Sequence, residues 1–173
     1  FSSSDVYTAG DAPIVLVAMN PAALKANLAD LDPGGIIIVN TDAFSWNNLR
    51  KAGYDVNPLD GETLHGYEVH SLPLTTLNRA ALSEIEGLTN QQKDLCKNSF
   101  ALGLTYWMFD RPLDQTLGFF EQKFAKRPTV IEANTRALKA GYYYGETAEA
   151  FQSRVSVPRR TVVAPGRYRR VTG

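Results

Sequence analysis

The chain has 173 residues, 44% hydrophobic and 21% charged, which excludes an intrinsically disordered polypeptide and leaves room for one ordinary domain and a tail. Its 18 basic and 18 acidic side chains cancel unevenly: residues 1–151 hold 12 basic residues against all 18 acids, and residues 152–173 hold six arginines and no acid. The single cysteine, Cys96, excludes an internal disulfide, a four-thiolate zinc site and an iron–sulfur cluster held by this chain alone, and it fits a reducing, cytoplasmic compartment.

Ala12 to Met19 is a continuous apolar run of strand length, as a parallel strand covered on both faces requires. Asn20 then offers an N-cap and Pro21 a first helical position, and Leu24, Leu28 and Leu31 recur at helical spacing, which predicts an amphipathic helix over 21–31. Asp32-Pro33-Gly34-Gly35 is a turn into a second β-branched strand, Ile36 to Asn40. A short helix is expected from Phe44 to Ala52, closed by Gly53, and residues 54–66 read as a turn-rich loop or a short strand. Tyr67 to Pro73 reads as a third strand. Strand–helix–strand–helix–strand means an α/β fold with parallel strands and right-handed crossovers.

The second half is helical. Helices are expected over 75–82, over 90–109 as one long apolar segment broken by Asp110-Arg111-Pro112, over 113–126, and from Pro128 to about Gly141. From Phe151 the periodicity stops, and the arginine-rich segment with Pro158, Pro165 and Gly166 reads as an extended linker. The opening at Phe1 rather than Met, and the close on Val171-Thr172-Gly173, lead us to expect a piece of a longer polypeptide. No apolar stretch reaches the about 18 residues of a membrane span, and no signal-peptide pattern opens the chain.

Self-sufficient catalytic machinery is not expected. Neither dinucleotide nor P-loop glycine patterns occur, nor a G-x-S-x-G elbow. His65 and His70 are five apart with no carboxylate at ligand spacing, so no metal site is expected, and Cys96 among Leu95, Phe100 and Leu102 reads as a small buried hydrophobe rather than a nucleophile. The arginine tail has Tyr168 as its one stacking platform beside an acidic body, which argues against nucleic acid. The candidates that remain are amides and a hydroxyl. Asn20, Asn40 and Thr41 follow the first two strands, at the carboxyl ends where α/β sheets bind ligands, or they cap the next helices. Asn98 and Asn134 sit in apolar helical segments and serve either as subunit or ligand contacts or as buried ties between helices.

Four segments in order carry a resemblance: Val15 to Leu24 with Met19-Asn20-Pro21, Pro33 to Asn40, Lys97 to Gly103, and Glu132-Ala133-Asn134-Thr135-Arg136 running on to Tyr142. Together they resemble the gamma domain of the 2-oxoacid:ferredoxin oxidoreductases, in the fused gamma–alpha form of the enzymes acting on 2-oxoglutarate. Residues 1–150 then correspond to the later part of that domain. Residues 151–173, ending Pro165-Gly166-Arg167-Tyr168-Arg169-Arg170, correspond to the linker into the alpha, pyrimidine-binding domain. The family's Gly-rich opening and its alpha domain would lie before Phe1 and after Gly173.

The resemblance implies oxidative decarboxylation of 2-oxoglutarate with coenzyme A to succinyl-coenzyme A, carbon dioxide and reduced ferredoxin. The whole complex would use thiamine diphosphate, Mg, a 4Fe-4S cluster and coenzyme A, none held by this chain alone. The partners would be a beta subunit, the chain's own alpha domain and ferredoxin, in a dimer of heterodimers. No catalytic residue transfers. Asn20, Asn40 and Thr41 are carried as coenzyme A-side candidates, and Asn98 and Asn134 as interface candidates. The alternatives are the same superfamily acting on pyruvate or another 2-oxoacid, and a non-catalytic α/β binding module whose basic tail docks a partner.

Overall fold

The computed structural model describes residues 12–148. The expected linker at 151–173 and the first residues of the 1–150 segment lie outside them. Three strands, β1 (Val15–Ala18), β2 (Ile36–Asn40) and β3 (Glu68–Leu72), form a parallel sheet in the order β1-β2-β3. Val15 pairs with Ile36 and Ala18 with Val39, and Ile36 pairs with Glu68 and Asn40 with Leu72. The connections are α1 (Pro21–Asn27) with a 3-10 turn over Leu28–Asp30, then α2 (Trp46–Lys51). The helical half comprises α3 (Leu74–Ala81), α4 (Asn90–Leu95), α5 (Lys97–Met108), α6 (Asp114–Lys123) and α7 (Pro128–Thr147).

The continuous apolar strands are explained by helices on both faces. Leu16, Ala18, Ile37 and Val39 point to one core with Leu24 of α1 and Leu49 of α2. Val15, Val17, Ile36 and Ile38 point to the other, with Phe100, Ala101 and Leu104 of α5 and Ala133 and Ala137 of α7. Each aliphatic side chain buried in full contributes about 1.5–3 kcal/mol of transfer free energy, so this double cover is what holds three short strands in register.

Three boundaries differ from the sequence reading. The helix expected over 21–31 tightens to a 3-10 turn after Asn27. The long helix expected over 90–109 is two helices meeting at Cys96; there the chain turns so that α5 buries its apolar side while Leu95, at the end of α4, is 75% exposed. The last helix does not stop near Gly141 but runs to Thr147. Its glycines are packing positions: a Cβ on Gly141 would strike the Phe100 carbonyl, and one on Gly145 would lie 2.7 Å from the Trp107 ring. Residues 54–66 contain no strand; a 3-10 turn at Glu62–Leu64 seats Leu64 in the first core.

Candidate functional site

The carboxyl ends of β1 and β2 are built from polar side chains that follow each strand. After β1, Asn20 holds an extended backbone, and its Oδ1 accepts from Ala23 N–H at 2.8 Å, capping α1, whose first residue is Pro21. After β2, Asn40 does not cap its own 3-10 turn (Thr41–Ala43) but reaches the start of α3. Its Oδ1 accepts from Thr75 N–H at 3.3 Å, and its Nδ2 donates to Thr75 Oγ1 at 3.0 Å and to the Met19 carbonyl at 3.5 Å. Asp42 completes the joint, its Oδ2 accepting from Thr76 N–H at 2.7 Å and its Oδ1 from Thr76 Oγ1 at 3.1 Å. Proline at the N-cap position of α3 has no side-chain acceptor, and two of that helix's first N–H groups, those of Thr75 and Thr76, are satisfied by Asn40 at the end of β2 and Asp42 just after it.

An open cleft of about 660 Å³ lies beside this edge, lined by Met19, Asn20, Pro21 and Ala22 at the end of β1, by Ala43, Asn48, Lys51 and Ala52 around α2, and by Lys97 and Asn98 at the start of α5. Of the residues singled out from sequence, Asn20 and Asn98 are brought together here. Asn40 is wholly buried with both amide atoms engaged, and Thr41 sits beside it in the 3-10 turn; neither lines the cleft. Asn134 is drawn into the α5–α7 joint: its Oδ1 accepts from Ser99 Oγ at 2.7 Å and its Nδ2 donates to the Val130 carbonyl at 2.8 Å. Sequence reasoning missed Lys51 and Lys97. Lys51 ends α2, where a cation is expected against the helix dipole, and Lys97 opens an apolar helical segment; only the fold shows that they line one cleft.

The charged residues around the site have separate duties. Arg79 Nε donates to Asp94 Oδ1 and Arg79 Nη2 to Asp94 Oδ2, both at 2.6 Å, and these bonds hold the Asp94 carboxyl below the usual carboxylate range. Burial pushes the Cys96 thiol up, which keeps it protonated. His70 Nε2 meets Glu68 Oε1 at 2.7 Å. Among the described residues no three His, Cys, Asp or Glu side chains gather as metal ligands, and no helix is long and apolar enough to cross a membrane. The cleft lining carries two lysines and three asparagines and no acid, a composition that suits a polar, negatively charged group.

Residues 1–144 match the model of the family described as pyruvate ferredoxin/flavodoxin oxidoreductase. The 2-oxoglutarate oxidoreductase subunit KorA of Mycobacterium tuberculosis is 50% identical over 169 residues, which are 98% of this chain and 26% of that protein. The chain therefore spans about a quarter of that relative's length. A solved structure, the 2-oxoglutarate:ferredoxin oxidoreductase from Magnetococcus marinus with 2-oxoglutarate, coenzyme A and succinyl-CoA bound, shares the fold at a TM-score of 0.58 with 22% identity, covering 91% of this chain and 24% of its own.

Proposed function

The chain belongs to the pyruvate ferredoxin/flavodoxin oxidoreductase family, and from that premise we propose that it serves in a 2-oxoglutarate:ferredoxin oxidoreductase, as a gamma domain over residues 1–150 followed by a linker at 151–173 into an alpha domain. The observation that carries this reading is 50% identity over 98% of the chain to a 2-oxoglutarate oxidoreductase subunit. The reaction is oxidative decarboxylation: 2-oxoglutarate loses carbon dioxide, its acyl group passes to coenzyme A as succinyl-coenzyme A, and the two electrons released leave one at a time to ferredoxin.

Thiamine diphosphate with Mg, bound elsewhere in the assembly, supplies the electron sink for decarboxylation. The residues here do not fit the electron-transfer group: one buried cysteine cannot assemble the four thiolates of a 4Fe-4S cluster. That group is assigned to a beta subunit, in a cytoplasmic dimer of heterodimers. The residues do fit coenzyme A, a polyanion, because the cleft is polar and carries two lysines. In this reading Asn20 and Asn98 face the coenzyme, with Asn98 also open to a neighbouring subunit. Asn40 donates to the Met19 carbonyl next to Asn20, Thr41 follows it outside the cleft lining, and Asn134 ties α5 to α7 through Ser99.

Purified complex containing the full-length subunit tests the reading. It is expected to reduce ferredoxin only when 2-oxoglutarate and coenzyme A are both supplied, and to form succinyl-coenzyme A. A clear preference for pyruvate across a panel of 2-oxoacids moves the assignment to another member of the family. Absence of turnover with every 2-oxoacid moves it to a non-catalytic binding domain.

A further inference from the structure

We propose that residues 159–164 of this chain lie along the outer edge of β3 as a fourth strand of the sheet, with their arginines set against an acidic approach to that edge. How the chain leaves the domain is a separate matter from the reaction proposed above, and neither depends on the other.

Glu68 N–H donates to the Gly35 carbonyl at 3.0 Å. In a parallel ladder that bond aims the backbone groups of Glu68, His70 and Leu72 at β2 and turns those of Val69 and Ser71 outward. Among the described residues β3 ends the sheet, and no hydrogen bond reaches the outward N–H or C=O of Val69 or Ser71. A bare edge is a template for another strand, and folded proteins cover it, twist it away or guard it with Lys or Pro. β3 holds neither, and its one carboxylate is Glu68. The charge leading into this edge has one sign. Between Lys51 and Arg79 the chain carries Asp55, Asp60, Glu62 and Glu68 and no Lys or Arg. All four acids are exposed, and none meets a Lys or Arg among the described residues. β1, at the other edge, lies in a stretch, 12–20, without a charged residue.

Composition and reach identify the occupant. Arg159-Arg160-Thr161-Val162-Val163-Ala164 has the length of an ordinary strand and a β-branched centre. Pro158 and Pro165 bound it from outside, so every N–H within it is available to a ladder. Val162 and Val163 give one apolar side chain to each face, the pattern of β1 and β2, whose two faces are both covered by helices. Arg159 and Arg160 also fall on opposite faces, so one of them stands on the Glu68 side in either register. The whole segment 152–173 has six arginines and no acid, opposite in sign to the approach to β3. The described chain closes at Ala148, just past α7. The ten residues 149–158 span about 33 Å when extended, more than the about 30 Å length of α7, so the segment reaches β3 from the end of that helix. Main-chain bonds supply the pairing, and the arginines select this edge over that of β1.

The test is hydrogen–deuterium exchange of the full-length subunit in its purified complex, read at single amides. Val69 and Ser71 are the reporters, and His70 and Leu72, whose backbone faces β2, are the internal control. All four should exchange slowly in the parent. Val162→Pro removes an N–H from the middle of the added strand. It should speed Val69 and Ser71 by about tenfold or more and leave His70 and Leu72 within about twofold. Arg159→Glu/Arg160→Glu should act in the same direction, and Glu62→Arg/Glu68→Arg added to it should restore the protection. Control amides that loosen with Val162→Pro would mean general unfolding, and the charge-reversal pair then carries the test. Fast exchange at Val69 and Ser71 in the parent means a bare edge and overturns the proposal. Protection that survives both variants assigns the edge to a partner subunit or to polypeptide outside residues 1–173, and overturns it too. Protection lost on dilution to separate subunits assigns the edge to a neighbouring chain, with the same consequence.

Discussion

Gly103 and Gly141 sit against each other's helices in a reciprocal contact: a methyl on Gly103 would overlap the Leu138 carbonyl, and one on Gly141 would overlap the Phe100 carbonyl. Each glycine thus lies three residues past the carbonyl that the other one touches. The close approach brings α5 and α7 within backbone contact and carries the wall from which Lys97 and Asn98 project. Because the atoms met are backbone, they cannot rotate away. Gly141→Ala should therefore destabilise the subunit by more than the about 1–3 kcal/mol typical of overpacking. Gly118→Ala, at a helical position with open space around it, should be neutral or stabilise by about 0.4–1 kcal/mol. Denaturant unfolding of the two variants side by side checks the contrast, and a tolerated Gly141→Ala would refute the packing account.

Asn40 and Thr75 form the second joint. Removing the wholly buried amide leaves the partly buried Thr75 N–H without its acceptor. Asn40→Ala should cost about 1–3 kcal/mol, the penalty for an unsatisfied buried donor. A double-mutant cycle with Thr75→Val should give a coupling energy of about 0.5–3 kcal/mol, since the pair shares one hydrogen-bond network. Additivity within error would mean that the two residues act independently.

The strands were legible because their apolar runs are continuous and bounded by Asn-Pro and Pro-Gly-Gly punctuation; β2 begins and ends where the sequence reading put it. The helical half was less legible for two physical reasons. A hydrophobic run carries no mark for a change of axis, so the break at Cys96 between α4 and α5 was invisible. Glycine reads as a stop in a sequence, whereas Gly141 and Gly145 are there to let another helix come close. The site was half legible. Asn20 was visible from its place after a strand, but Lys51 and Lys97 are 46 residues apart in sequence and meet only through the tertiary packing.

Acid unfolding should show Asp94. Arg79's hydrogen bonds hold its folded pKa below the unfolded value of about 3.9. A carboxyl shifted this way contributes stability that is fully present above the unfolded pKa and is lost as pH falls through the folded one. Asp94→Asn cannot titrate, so its melting temperature should lie below the parent's at neutral pH and fall less steeply below about pH 4. Melting curves taken from neutral pH downward measure this, and parallel profiles would remove Asp94 from the acid transition.

Cys96 should report from the alkaline side. Burial at the α4–α5 joint raises its pKa, so the unfolded chain, near about 8.5, gives up its proton first as pH rises. Stability is then unaffected below that value and declines above it, up to the folded pKa. Tyr54, also raised by burial, ionises later than an ordinary tyrosine at about 10, so the window from about pH 8.5 to 9.5 isolates the thiol. In the same window a thiol reagent should label the native subunit only as fast as it opens, and at once when unfolded. Cys96→Ala should flatten the alkaline decline while losing about 1 kcal/mol of packing at neutral pH. Rapid labelling of the native protein would mean that the joint opens to solvent. The packing that sets Lys97 and Asn98 at the cleft would then be mobile rather than fixed.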